Sequence, residues 1–168
     1  MNTFKFFAND FDTTTEGIDL VASYSTEMLG GVTDFTFVFN ETETEVDKST
    51  LLSANRIGSL EALLPETRWN LTAVHNVGDY TILARYMHVG ESDYYDFPDI
   101  VQLDSQSQLD IEVTQDFGNI ALTIGAENIT DEYPEKDTGV TCCGAVYPEF
   151  APLGFMGAFY YLRLGMEF

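Results

Sequence analysis

Ala158-Phe159-Tyr160-Tyr161-Leu162-Arg163-Leu164-Gly165-Met166-Glu167-Phe168 decides how the rest of the chain is read. Ala158, Tyr160, Leu162, Leu164, Met166 and Phe168 alternate with Phe159, Tyr161, Arg163, Gly165 and Glu167. Successive side chains of a strand point to opposite faces, so this period of two predicts a strand with one apolar face and one mixed face. The same alternation recurs backwards along the chain. Ile120, Leu122, Ile124 and Ala126 share a face, as do Leu109, Ile111 and Val113. So do Tyr80, Ile82, Ala84 and Tyr86; Trp69, Leu71 and Ala73; Phe35, Phe37 and Phe39; and Ile18, Leu20, Ala22 and Tyr24. Few segments repeat apolar residues at helical spacing, so the chain reads as all-β.

Residues paired across an antiparallel ladder share a face, so each turn must respect the alternation. A two-residue turn at Gly30-Gly31 pairs Met28 with Thr33, Tyr24 with Phe37 and Ala22 with Phe39. A two-residue turn at Phe117-Gly118 pairs Val113 with Leu122, and a four-residue turn from Asn76 to Asp79 pairs His75 with Tyr80. All three bring apolar faces together. They alternate with long links at Glu45 to Glu66, Gly90 to Ser105 and Ile129 to Phe155, the second kind of connection in an up-and-down barrel of the outer membrane. With Phe4 to Ala8 as a partial first strand, about eight strands are expected, and Arg56 to Leu64 could form a short helix on an outer loop. Aromatic girdles are expected from Phe39, Trp69, Tyr86 and Tyr160 at one rim and Phe35, Tyr80 and Phe168 at the other.

Composition narrows the classes further. At 168 residues the chain reads as one unit, and 28 acidic against 7 basic residues give a formal charge of −21. That charge argues against nucleic acid as a partner. A hydrophobic content of 45% with 14% aromatics is too rich for a disordered acidic tail. No stretch is long and apolar enough for a spanning helix. Met1 to Asp10 lacks the basic region and apolar run of a secretory signal. Cys142 and Cys143 are adjacent, a spacing that gives neither an ordinary loop-closing disulfide nor a CxxC site; a strained vicinal bridge or a bond to another loop stay open.

Gly125-Ala126-Glu127-Asn128-Ile129-Thr130-Asp131-Glu132-Tyr133-Pro134, then Tyr147-Pro148, Pro152-Leu153-Gly154 and the strand ending at Phe168, resemble the carboxyl terminus of TonB-dependent outer-membrane receptors. Thr15 to Leu20, Arg56 with Leu60-Glu61 and Pro65, and Arg85 followed by Gly90 also fit that family's barrel pattern. The resemblance covers nearly the whole chain and is strongest after Leu109. It implies antiparallel transmembrane strands belonging to a barrel of about 22 strands, plugged by an amino-terminal domain. It implies TonB-energised uptake of a scarce nutrient, iron-siderophore most often, in the outer membrane of a Gram-negative bacterium. The 168 residues contain no TonB box or plug, so the expectation is a carboxyl-terminal barrel segment that meets the TonB complex only through a part not included here. Lipid and lipopolysaccharide are the expected surroundings.

Site residues follow from the faces. Tyr160, Leu162, Leu164, Met166 and Phe168 resemble the signal by which the barrel-assembly machinery binds its clients through an exposed strand edge. Asp19, Arg68, Arg85, Asp110, Glu112, Glu127 and Arg163 fall on the polar face, the expected lumen wall, where a solvated or plug-packed surface is favoured over substrate contact. Carboxylate clusters at Glu41 to Asp47, Glu91 to Asp99 and Asp131 to Asp137 lack the ligand spacing of a Ca²⁺ loop and read as solvated loops. His75 and His88 stand in no nucleophile or metal motif, so neither enzyme activity, a cofactor nor a metal is expected. Asn-x-Thr triplets at Asn40, Asn70 and Asn128 carry no glycan meaning in a bacterial setting. Two other readings remain: a small autonomous barrel acting as an adhesin or structural protein, closed by Phe4 to Ala8 against Ala158 to Phe168, and a soluble β-sandwich binding module whose apolar face is buried under a second sheet.

Overall fold

In the computed structural model, residues 9–96, 99–136 and 144–167 are described. The expected strand Phe4 to Ala8, the terminal aromatic Phe168 and the pair Cys142 and Cys143 lie outside those residues. The elements are β1 (Asp12–Met28), β2 (Gly31–Lys48), α1 (Ala54–Ala62), β3 (Thr67–Val77), β4 (Tyr80–Val89), β5 (Ser92–Asp96), β6 (Asp99–Leu103), β7 (Gln106–Asp116), β8 (Ile120–Glu127) and β9 (Phe159–Met166). Seven strands form one antiparallel sheet in the order β1-β2-β3-β4-β7-β8-β9, and β5 and β6 form a separate hairpin. Those seven are the seven strands expected between Ile18 and Met166. Nothing pairs with the outer edge of β1 or of β9 among the described residues, so the described strands form an open sheet.

Every strand is placed on the expected face, and every turn is moved. Met28 pairs with Gly31, so the first turn is Leu29-Gly30 and Tyr24 faces Phe35 instead of Phe37. Both turn residues have positive φ, 51° and 81°, which lets a two-residue hairpin follow the twist of its strands. Gly31 opens β2, where a side chain could not fit: a Cβ there would come within 2.1 Å of the Asn76 carbonyl oxygen on β3. The four-residue turn is likewise replaced by Gly78-Asp79, with His75 opposite Ile82, and the third turn is Gly118-Asn119, with Val113 opposite Ile124. Each correction slides the register by two residues. Because strand period is also two, no side chain changes face.

The links also differ from expectation. β2 runs on to Lys48, and above the Glu41–Thr67 pair it has only β1 beside it, making a two-stranded extension. α1 lies against that extension; Ser53 caps its first turn by accepting from the Arg56 amide at 3.3 Å, and Glu61 accepts from the Val46 amide at 2.9 Å. The link Gly90 to Ser105 holds the β5–β6 hairpin, which alternation did not reveal.

One row of paired residues joins Tyr24, Phe35, Ala73, Ala84, Ile111, Ala126 and Tyr160. It keeps a nearly constant distance from the turn end of every strand, so the strands are level there and differ in how far they run toward the links.

The sheet has no conventional core. Among the described residues only Val89, Leu103 and Ala126 are buried hydrophobics. Tyr24, Ile124, Tyr160, Leu162 and Leu164 on the apolar face are 59 to 68% exposed. A large apolar side chain left fully in water forgoes roughly 1.5–3 kcal/mol, so these five, each about two-thirds exposed, together forgo roughly 5–10 kcal/mol, comparable to a domain's typical stability. No second sheet covers that face among the described residues, contrary to what a β-sandwich requires.

Candidate functional site

The opposite face carries the polar chemistry, concentrated where β4, β7, β8 and β9 meet the link after Glu127. Asp110 is only 4% exposed, and its carboxylate is saturated. Arg85 donates to Oδ2 from Nε at 3.1 Å and Nη2 at 2.7 Å, while Gln108 Nε2 at 2.8 Å and the Asn128 amide at 3.0 Å donate to Oδ1. Arg85 and Asp110 face each other because they are a register pair of β4 and β7. A buried carboxylate with a charge partner and every oxygen occupied holds its neighbours in place, and offers little to a passing ligand.

Glu112, one step along β7 on the same face, accepts from the Tyr161 hydroxyl at 2.7 Å and pairs with Arg163. The Arg163 guanidinium also lies 5.6 Å from the Tyr161 ring centroid, and Phe159 stacks on Tyr161 at 6.1 Å. Gly125 makes this possible: a Cβ there would meet the Tyr161 ring at 2.3 Å. Tyr161 therefore lies flat across β8 and reaches β7.

The segment beyond β8 is pinned to this cluster. Asn128, with φ of 50°, turns the chain; its Nδ2 donates to the Glu132 carbonyl at 2.7 Å and its Oδ1 accepts from the Glu132 amide at 3.1 Å. Asp131, also at positive φ, accepts from the Ala158 amide at 2.8 Å and so ties the link to the start of β9. The Tyr133 hydroxyl bonds the same Asp131 carboxylate, which holds the phenol above its usual range, and its ring stacks on Tyr147 at 5.4 Å. Thus Gly125 to Pro134, read from sequence as a family signature, works locally as a clamp between sheet and link.

Of the expected wall residues, Arg85 is brought to Asp110 and Arg163 to Glu112. Asp19 accepts from Asn40 Nδ2 at 2.8 Å, Arg68 stands opposite Asn40 and Val89, and Glu127 stands opposite Phe159; these three join no ion pair among the described residues. Sequence reading missed Gln108, Asn128 and Tyr161 as members of the cluster. Gln108 and Tyr161 share the parity of the charged residues and were findable on that signal; the side-chain turn at Asn128 was not.

On the apolar face, Trp69 is ringed by Phe37, Tyr86 and His88 at 6.2, 5.3 and 5.4 Å. Both histidines face this side with hydroxyl partners, His75 Nδ1 with Thr33 at 2.8 Å and His88 Nδ1 with Ser107 at 2.9 Å. Tyr160, Leu162, Leu164 and Met166 lie along β9, which among the described residues pairs on one edge only. No family model, characterised protein or solved structure matches the chain.

Proposed function

We propose that this chain forms part of the wall of an outer-membrane β-barrel of the TonB-dependent receptor kind, whose intact protein takes up a scarce nutrient, an iron-siderophore complex being the favoured cargo. The observation that carries the reading is the broad apolar face, exposed from Leu20 and Tyr24 on β1 to Leu162 and Leu164 on β9. Such a face is stable only in contact with hydrocarbon or a large apolar partner. Two further observations support lipid: short turns all at one end and long links all at the other, and the Trp69 aromatic group toward the link end. Among the described residues the outer edges of β1 and β9 are unpaired, which leaves both open to further strands. In this reading the Asp110 and Glu112 clusters face the lumen, β9 offers its edge to the assembly machinery, and TonB acts through a plug carried elsewhere in the receptor.

Trp69 is the only tryptophan, so it reports lipid contact directly. Protein reconstituted into liposomes containing phospholipids brominated on the acyl chains should lose Trp69 fluorescence relative to unbrominated liposomes. Monodisperse protein in detergent-free buffer, with Trp69 unquenched by brominated lipid, would overturn the reading.

A further inference from the structure

At the link end, on the same side of the sheet as Trp69, an open cleft of about 530 Å³ lies between β3, β4 and the β5–β6 hairpin. Thr67 and His88 form its floor; both share the face of Trp69, and His88 stacks 5.4 Å from the indole. Glu66, Glu91 and Asp93 line its wall, and none of the lining residues is Lys or Arg. Ser92 lines it too, only 5% exposed, and its Oγ has no hydrogen-bond partner. A buried hydroxyl without a partner is destabilising. Leu64, 69% exposed, adds an apolar lip.

We propose that this cleft binds a primary ammonium group carried on an alkyl chain. The carboxylates supply the countercharge, the seryl, threonyl and glutamyl oxygens accept N–H donors, and the chain continues onto the Trp69–Tyr86 surface. A group of three or more His, Cys, Asp or Glu disposed for a metal ion is absent among the described residues, so the acceptors suit an organic cation better than a bare divalent one. The amphiphile's position rests on the membrane reading above, because only there do cleft and apolar surface meet lipid. A lipid ammonium headgroup and a free alkylamine present the same chemistry.

The test titrates the whole chain in detergent micelles with n-hexylammonium chloride and, separately, with dihexanoyl phosphatidylethanolamine, following Trp69 emission. Dihexanoyl phosphatidylcholine, whose nitrogen has no N–H, is the comparison. A saturable change with hexylammonium is expected; whether the ethanolamine lipid also saturates identifies the source as lipid or free amine. The double variant Glu91→Gln/Asp93→Asn should weaken binding about fivefold, the order expected for two partly exposed charges. The double variant Glu27→Gln/Asp79→Asn removes equal charge at the turn end, away from the cleft, and should leave binding unchanged. Absence of saturation with hexylammonium, choline lipid binding as well as the ammonium probe, or equal weakening by both double variants overturns the proposal. Hexylammonium titrates the cleft whether or not the sheet enters lipid, so this failure and failure of the brominated-lipid experiment are read separately.

Discussion

The turn end and the link end of the sheet close the same strands by different means. At the turn end, Leu29-Gly30, Gly78-Asp79 and Gly118-Asn119 each reverse the chain within two residues, and glycine at positive φ does most of the work. At the link end, reversal takes long segments, one holding α1 and one the β5–β6 hairpin, and side chains fasten links to the sheet: Asp110 and Asn128 below β8, Asp131 at β9, Glu61 on β2, and Asp10 across Ser49 to Leu51. Backbone geometry is set locally, whereas the side-chain clamps need partners far apart in sequence. Damage should therefore be small and local at one end, and large and shared at the other.

The strongest break of this contrast is Asp110→Ala. It removes the acceptor of Arg85, Gln108 and the Asn128 amide together and leaves that buried amide unpaired, so a loss of about 2–3 kcal/mol is expected. Thr81→Ala at the turn end deletes one exposed hydrogen bond to Asn76 and should cost no more than about 1 kcal/mol. Urea unfolding of both variants in the same detergent measures the difference. Equal midpoints would mean that the two ends are held alike.

The same contrast explains what the sequence let one read. Faces were legible because alternation at Ile18 to Tyr24, Phe35 to Phe39 and Ala158 to Met166 depends on parity alone. Registers were not, since slides of two residues preserve parity, and alternation alone does not separate Gly30-Gly31 from Leu29-Gly30. The charged residues of the polar face share it by register, yet the pairing of Arg85 with Asp110 required the β4–β7 register, across a link that hides the β5–β6 hairpin. Asn128 and Asp131 were visible only as parts of a family resemblance, because their hydrogen bonds go to backbone groups that alternation does not locate.

At the turn end one residue runs against its own conformation. Leu29 sits at φ 51°, a region that disfavours L-residues with bulky side chains by about 1–2 kcal/mol, and it is 82% exposed, so its side chain gains little in return. Leu29→Asn should stabilise the protein by about 1 kcal/mol, read as a higher urea midpoint with unchanged slope. An unchanged or lower midpoint would assign Leu29 a contact that outweighs its strain.

The smallest effect lies at the far edge of the link end, outside the apolar belt. Asp10 accepts hydrogen bonds from the Ser49 and Thr50 hydroxyls at 2.9 and 2.5 Å and from the Leu51 amide at 2.9 Å. The Thr50 hydroxyl above all, then the other donors, favours the carboxylate and lowers its pKa from 3.8 to about 2. A depressed folded pKa gives stabilisation that is complete above the unfolded value and vanishes as pH falls through the folded one. The anchor should therefore hold above about pH 4 and release between pH 3.8 and about 2. Pepsin works across that window and favours bonds such as Leu51-Leu52, so cleavage there should rise relative to cleavage elsewhere as pH drops. In Asp10→Asn the neutral amide never gains the charged acceptor, and cleavage at Leu51-Leu52 should already be high at pH 4 and change little below it. If wild type and variant show the same pH profile, the carboxylate is not what fastens Ser49 to Leu51, and that part of the link end is held by the backbone alone, as the turns are.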